Sequence, residues 1–324
     1  MSIFSLLSKT IDLAPVAEVV ESRCLRRRLS SFDCTLCVDN CVVNAVTHRQ
    51  ANGRGEIHID NQKCTGCGRC TAVCPAEAIV FPDFDLYQAL DECDTFEETL
   101  FTCHRQKQSF PKEFCVPCVG ALSIEALLYV GLKGSGPVYF NLASCHGCSR
   151  HQVFEKFLAL LDHAQRILTD EFANLIAITE SSQLPDFSKK DRRSFLFDLG
   201  SNAVSLVKNQ YGTPLQQKMS SQAASQAKGR RVPRKTLLLG KAINAKDNPA
   251  AANILARCVP TISLTDSCTL CPRCTGMCPT GALKVERRQD KSKKLSFAAD
   301  KCTACGLCVA FCEMEAITVT YPLK

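Results

Sequence analysis

Between residues 95 and 180 short apolar runs alternate with amphipathic stretches. Thr99–Cys103 (TLFTC), Val138–Ala143 (VYFNLA) and Asn174–Thr179 (NLIAIT) are the continuous runs expected of strands buried on both faces. Between the first two, Ser123 stands as N-cap of a helix that carries Leu127, Leu128 and Leu132 and ends at Lys133-Gly134. Between the second and third, Gln152–Leu168 places its apolar side chains on one helical face. Strands alternating with helices predict a small parallel α/β sheet over 95–180. Residues 181–235 then turn polar and basic. They include QQKMSSQAASQAKGRR, which lacks the large apolar groups needed to order itself, so a basic polar helix or linker is expected. No apolar run approaches the length of a membrane span.

At both ends the regular alternation gives way to cysteine. The chain has 23 cysteines in 324 residues, too long a chain for a disulfide scaffold, and its N-terminus lacks a signal-peptide pattern. A reducing cytoplasm, with thiolates held by metal, is the expectation. The segment 268-CTLCPRCTGMCPTGAL-283 has the spacing C-x2-C-x2-C-x3-C-P, and 302-CTACGLCVAFCEMEAI-317 repeats it with Glu313 in the proline position. Three closely spaced cysteines wrap three corners of a cubane, and the fourth reaches the neighbouring cluster. Cys268, Cys271, Cys274 and Cys312 therefore group as one ligand set; Cys302, Cys305, Cys308 and Cys278 form the other. KVERRQDKSKKLSF between them reads as a polar-tipped hairpin. Two zinc sites would leave this eight-cysteine interleave unexplained. The segment resembles bacterial two-cluster ferredoxins.

The N-terminal module departs from that pattern. Its second half, 64-CTGCGRCTAVCPAEAI-79, is intact, but the first reads 34-CTLCVDNCVVNAV-46, with Ser31 where the leading ligand belongs. Cys24 lies ten residues before Cys34 and is placed to fold back into the gap. The expected sets are Cys24, Cys34, Cys37 and Cys74, and Cys64, Cys67, Cys70 and Cys41; the alternative at the first is a three-iron form or loss of the cluster. Arg26, Arg27 and Arg28 are candidates to donate to cluster sulfur or to meet an acidic partner, or else form a solvated helix face. The expected architecture is a multidomain α/β and α+β chain: dicluster modules at 24–82 and 258–322 flank the small parallel domain at 95–180.

The formal charge of +7 counts every thiol as neutral. Four [4Fe–4S] clusters at roughly −2 each would contribute roughly −8, bringing the chain near neutrality. A nucleic-acid partner is therefore not expected. Asp191–Leu199 (DRRSFLFDL) resembles an export motif but sits in mid-chain, and 131–136 (GLKGSG) lacks P-loop order.

The middle segment has cysteines of its own, at 93, 103, 115, 118, 145 and 148. In a parallel sheet the carboxyl ends of strands share one edge, which gathers Cys103, Cys145 and Cys148 there, with Cys115 and Cys118 at a helix entry. Cys93 and Cys258 have no partner at a diagnostic spacing and read as buried small apolar residues. His146 is a candidate donor to the centre or a polar loop residue. The stretch CVGALSIEALLYVGLKGSGPVYFNLASCHGCSRHQ (118–152), with FTC (101–103), resembles the delta subunit of methyl-viologen-reducing hydrogenases. That resemblance implies a [2Fe–2S] cluster on Cys103, Cys118, Cys145 and Cys148, with Cys115 as competitor. It also implies hydrogenase, dehydrogenase or flavin-containing reductase subunits as partners. This chain has Cys103-His104 where the family usually has a cysteine pair. A zinc site or a redox-active dithiol is the other reading of these cysteines. The expected function is an iron–sulfur electron-transfer subunit; the alternatives are a thiol/disulfide or persulfide reductase fed by the clusters, and a redox sensor.

Overall fold

Each cysteine-rich end folds to one plan, an inner hairpin and an outer strand pair. The structure, a computed structural model, describes residues 16–51, 54–82, 84–87, 90, 98–106, 113–133, 136–168, 175–185, 230–244 and 249–323. In the N-terminal module the outer strands β1 (Glu18–Val19) and β4 (Ile79–Val80) pair antiparallel around the hairpin β2 (Val46–Ala51)–β3 (Arg54–Ile59). In the C-terminal module β9 (Thr261–Leu264) pairs with β12 (Ile317–Thr320), around the hairpin β10 (Leu283–Arg287)–β11 (Lys293–Phe297). Short helices carry the cysteine turns. They are α1 (Leu25–Arg28), α2 (Leu36–Asp39) and α3 (Arg69–Val73) at one end, and α8 (Arg273–Met277) and α9 (Leu307–Ala310) at the other.

The middle of the chain is a four-stranded, all-parallel sheet in the order β6-β5-β7-β8. Three strands coincide with the apolar runs: β5 (Thr99–Cys103), β7 (Val138–Asn141) and β8 (Leu175–Ile178). The fourth, β6 (Glu113–Val116), is an edge strand; only Val116 in it is fully buried, so it has no continuous apolar run to announce it. Cys115, expected at a helix entry, lies within this strand opposite Thr102.

Helix α4 (Ile124–Lys133) is buried from Ile124 through Leu132, as a helix enclosed on all sides must be. The Ser123 hydroxyl caps it by accepting from Ala126 N at 3.3 Å. Helix α5 (His151–Ile167) buries one face through Val153, Phe154, Phe157 and Leu161. Phe140 joins sheet to helix, stacking on Phe101 and meeting Phe157 edge-on, each at 5.4 Å between centroids.

The expected linker 181–235 falls mostly outside the described residues, as does the DRRSFLFDL segment, but its end is structured. Arg234 and Lys235 open α6 (Arg234–Asn244), which packs on α4, and α7 (Pro249–Cys258) follows. The basic composition concealed this helix because its buried apolar positions among the described residues, Leu238 and Leu239, are few.

Residues 230–235 tie the two modules together. Arg230 donates to Thr275 O at 2.9 Å, and Arg231 N donates to Pro279 O at 3.0 Å. On the other side Glu77, 5% exposed, accepts from Arg231 Nη2 at 2.7 Å, Lys235 N at 2.9 Å and the Tyr87 hydroxyl at 2.6 Å. Nearby, the Phe32 ring covers Gly306 at 3.8 Å from where a Cβ would stand. The central domain abuts the N-terminal module just as closely. A Cβ on Gly68 would lie 2.5 Å from that of Ala121, and one on Gly120 would lie 3.0 Å from Cys67 O.

Removing the Glu77 carboxylate leaves Arg231, Tyr87 and the Lys235 N–H without their acceptor. Glu77→Ala is therefore expected to cost about 2–4 kcal/mol of stability. Glu77→Gln, which keeps an amide oxygen there, is expected to lose less. Denaturant midpoints at constant slope measure both.

Candidate metal centres

Sixteen cysteines of the two end modules line four cavities. Cys24, Cys34, Cys37 and Cys74 surround the first, and Cys41, Cys64, Cys67 and Cys70 the second. Cys278, Cys302, Cys305 and Cys308 surround another, and Cys268, Cys271, Cys274 and Cys312 the outermost. Three of these enclose only about 20 Å³ each, so their thiols are held close under protein. The outermost is wider, about 250 Å³, and Cys271 beside it is the one exposed cysteine among the described residues. Nowhere among the described residues do three or more His, Cys, Asp or Glu groups gather to hold a single metal ion. Four thiols around a hollow suit a polynuclear cluster, whose irons each take one thiolate.

The fourth cysteine of each half-module crosses to the other set, and one local device recurs at all four. Three residues after it comes a left-handed residue: Asn44 (φ 51°), Glu77 (φ 47°), Gly281 (φ 71°) or Glu315 (φ 47°). Next comes a buried alanine, at 45, 78, 282 and 316. The left-handed turn aims the alanine N–H back at sulfur: Ala45 donates to Cys41 Sγ at 3.2 Å, and Ala78 and Ala316 donate to Cys74 and Cys312 at 3.3 Å. The carbonyls of the same four alanines accept from Asp60, Val20, Ala298 and Thr265 at 2.7–3.0 Å, each at the start or end of a paired strand. Non-glycine residues in this region cost of order 1–2 kcal/mol, so three of the four turns are held against strain. The spacing C-x-x-[N/E/G]-A, present four times, is a signal the ligand arithmetic passed over.

Thiol acidity reports the enclosure. Burial first, then repulsion from Cys74, Cys34 and Cys24, pushes Cys37 up to about 12. Burial and neighbouring thiolates do the same to Cys308, also to about 12, and raise Cys70 further. Cys278 is the exception. Burial raises it, but hydrogen bonds from the Thr280 hydroxyl and from the N–H groups of Leu283, Thr280 and Ala282 outweigh this and bring it below the ordinary thiol value.

A fifth cavity, of about 210 Å³, lies at the carboxyl edge of the sheet and is lined by Cys103, Cys118, Cys145 and Cys148. Cys103 ends β5; Cys118 follows β6; Cys145 and Cys148 lie in the loop after β7. Arg105 Nη1 approaches Cys148 Sγ at 3.8 Å, Gln106 Nε2 approaches Cys145 Sγ at 3.7 Å, and Arg150 N donates to Cys148 Sγ at 3.5 Å. Burial and the neighbouring thiols lift Cys145 to about 12; burial lifts Cys118 to about 11, against the opposing pull of the Gly120 N–H and Arg150. Cys115 is not among the lining residues.

The remaining candidates fall elsewhere. Arg26 is buried and bonds Asp33 and Cys34 O, and Arg27 pairs with Glu21 and Glu56, so only Arg28 of the three is exposed. The charges of Arg26 and Arg27 are answered within the module. His146 meets the Phe154 ring edge-on at 4.5 Å. Cys258 is buried at the end of α7, and Cys93 lies outside the described residues.

The 4Fe-4S dicluster domain family matches residues 32–78 and 267–316, and a second 4Fe-4S dicluster domain family matches 56–121. The Ferredoxin 7Fe of Hydrogenibacillus schlegelii is 33% identical over 69 residues, 21% of this chain and 77% of that ferredoxin. The archaeal-type glutamate synthase (NADPH) of Dehalococcoides mccartyi is 31% identical over 65 residues. That stretch is 20% of this chain and 11% of the synthase, so the chain spans about a tenth of that relative's length. No solved structure matches. No helix among the described residues is long and apolar enough to cross a membrane.

A thiol raised to about 12 holds little thiolate at neutral pH, and a lowered one holds more. In the metal-free chain, alkylation of Cys278 is therefore expected to set in at a lower pH than that of Cys37 or Cys308. Peptide mapping of alkylation rates between pH 6 and 10 measures the order; equal onsets would contradict it.

Proposed function

The chain belongs to the ferredoxin family of 4Fe–4S dicluster proteins, and we propose that it is an iron–sulfur electron-transfer subunit relaying single electrons between protein partners in a larger oxidoreductase complex. One observation carries this reading: the cysteine sets succeed one another through the molecule. The outermost set shares α8 with the set of Cys278, Cys302, Cys305 and Cys308. Phe32 on Gly306 brings that set against the set of Cys24, Cys34, Cys37 and Cys74. Cys37 and Cys70 repel across the N-terminal module, and Cys67 and Cys118 repel across the Gly120 contact.

In this reading the sixteen end-module cysteines hold four [4Fe–4S] clusters, with Cys24 replacing the ligand absent at Ser31. Cys103, Cys118, Cys145 and Cys148 hold a fifth, [2Fe–2S] centre, in keeping with the resemblance of 118–152 to the hydrogenase delta subunit. Such clusters, when bound, take up and release one electron at a time, at potentials of roughly −700 to +450 mV according to their surroundings. The chain's own part is to bury the thiolates, direct alanine N–H groups at sulfur, and hold neighbouring sets in fixed register. No general acid, base or nucleophile is required of it. Its partners are electron donors and acceptors in the cytoplasm, of the hydrogenase, dehydrogenase or flavin-containing reductase kind. The domains that serve them are 24–82, 95–180 and 258–322, with 181–235 between the last two.

Anaerobically purified chain is expected to carry about eighteen irons, sixteen in four cubanes and two in the central centre. Cys145→Ser should remove about two of them. Stoichiometric zinc in place of iron would sink the reading. Sixteen irons with a titratable dithiol at Cys145 and Cys148 would instead favour thiol chemistry at the central site.

A further inference from the structure

Arg150 is 3% exposed, yet only Nη1 of its guanidinium has a partner, Pro117 O at 3.0 Å. Nε and Nη2 are buried without one. A guanidinium keeps its proton, and burying its charge costs several kcal/mol unless an opposite charge answers it. Among the described residues no carboxylate forms an ion pair with Arg150. Arg150 lines the cavity of Cys103, Cys118, Cys145 and Cys148, and its backbone N–H donates to Cys148.

Its position also reaches the next set. Pro117, which anchors Arg150, precedes Cys118, and the turn Val119–Ala121 that follows is pressed against Cys67 and Gly68. A Cβ on Gly120 would stand 2.4 Å from Val153 Cγ1 on α5 as well as 3.0 Å from Cys67 O. One turn of backbone therefore separates the two sets, and Arg150 is fixed to the start of that turn through Pro117 O. Arg105 also approaches the central set, but it reaches it through exposed contacts, where solvent screens its charge.

We propose that Arg150 is a positioning residue shared by the central set and the set of Cys41, Cys64, Cys67 and Cys70, its fixed charge answering the negative charge that each gains on reduction. In this step one electron leaves one centre and arrives at the other, and no bond or proton moves. By stabilising the reduced form on both sides of the Val119–Ala121 turn, Arg150 raises the two potentials together. The inference rests on the relay reading above.

The test uses the full chain, purified anaerobically, with iron assays and potentiometric titrations followed by electron paramagnetic resonance. Arg150→Gln with wild-type iron is expected to lower two midpoint potentials, each by about 59 mV or more, a tenfold change in the reduced-to-oxidised ratio of a one-electron couple. Arg150→Lys should restore most of that shift, and Arg105→Gln should not reproduce it. Iron kept by Arg150→Lys but lost by Arg150→Gln also supports a need for the charge. Full iron with unshifted potentials in Arg150→Gln overturns the proposal, and so does equal iron loss in both Arg150 variants. Cys145→Ser separates the two readings. Unchanged iron in that variant defeats the central centre and the shared role with it; loss of about two irons there, with unshifted Arg150→Gln potentials, defeats Arg150 alone.

Discussion

Everything in the two end modules turns on bringing one distant thiol to three close ones. A run such as Cys64, Cys67 and Cys70 is gathered by the chain itself, but its fourth member, Cys41, arrives from the other half of the module. The backbone around each crossing cysteine is built for that arrival. A left-handed residue turns the chain, a buried alanine points its N–H at the sulfur (at Cys278 it bonds the Thr280 hydroxyl beside it), and the alanine's carbonyl is held by a residue at the end of a paired strand. Sheet pairing and thiol placement are thus one hydrogen-bonded unit. Only an alanine-sized side chain is found at the four buried positions, and three of the four turns sustain a conformation that glycine alone would adopt freely.

The same economy governs how the modules meet. Residue 77, which serves the Cys74 turn through its backbone, uses its carboxylate to hold Arg231, Tyr87 and the Lys235 amide. Arg231 in turn bonds the Cys278-Pro279 turn of the other module. One buried acid therefore couples the cysteine turn of one module to that of the other. On the opposite side, glycines at 68 and 120 allow the central domain to approach to backbone contact. Because electron passage falls steeply with separation, such side-chain-free junctions are where a relay needs them.

Charge follows position. Burial drives thiols such as Cys37, Cys118, Cys145 and Cys308 up, and the protein offsets this unevenly: by amides and a hydroxyl at Cys278, and by a buried guanidinium at Cys118 and Cys67. Arg26 and Arg27, just after Cys24, differ from Arg150 in having carboxylate partners of their own, Asp33 for Arg26, and Glu21 and Glu56 for Arg27. Their basic run reads alike in sequence, yet the partners divide their roles.

Cysteine spacing by itself pointed to the four groups of thiols that the structure gathers around the four end-module cavities, because three closely spaced cysteines leave a fourth place that only a cysteine from the other half, or Cys24, can reach. Apolar runs likewise determined three strands and two helices of the central domain, since strands buried on both faces must be continuously apolar. Edge strand β6 and helix α6 escaped that reading because each presents few buried positions, and what orders them is contact with β5 and α4. Tertiary structure alone decided that Glu77 joins the modules and that Arg150 stands between two cysteine sets; it also sets Cys118, and not its competitor Cys115, in the lining of the central cavity. Those outcomes depend on which residues distant in sequence approach within a few ångströms, and no local period or spacing carries that information.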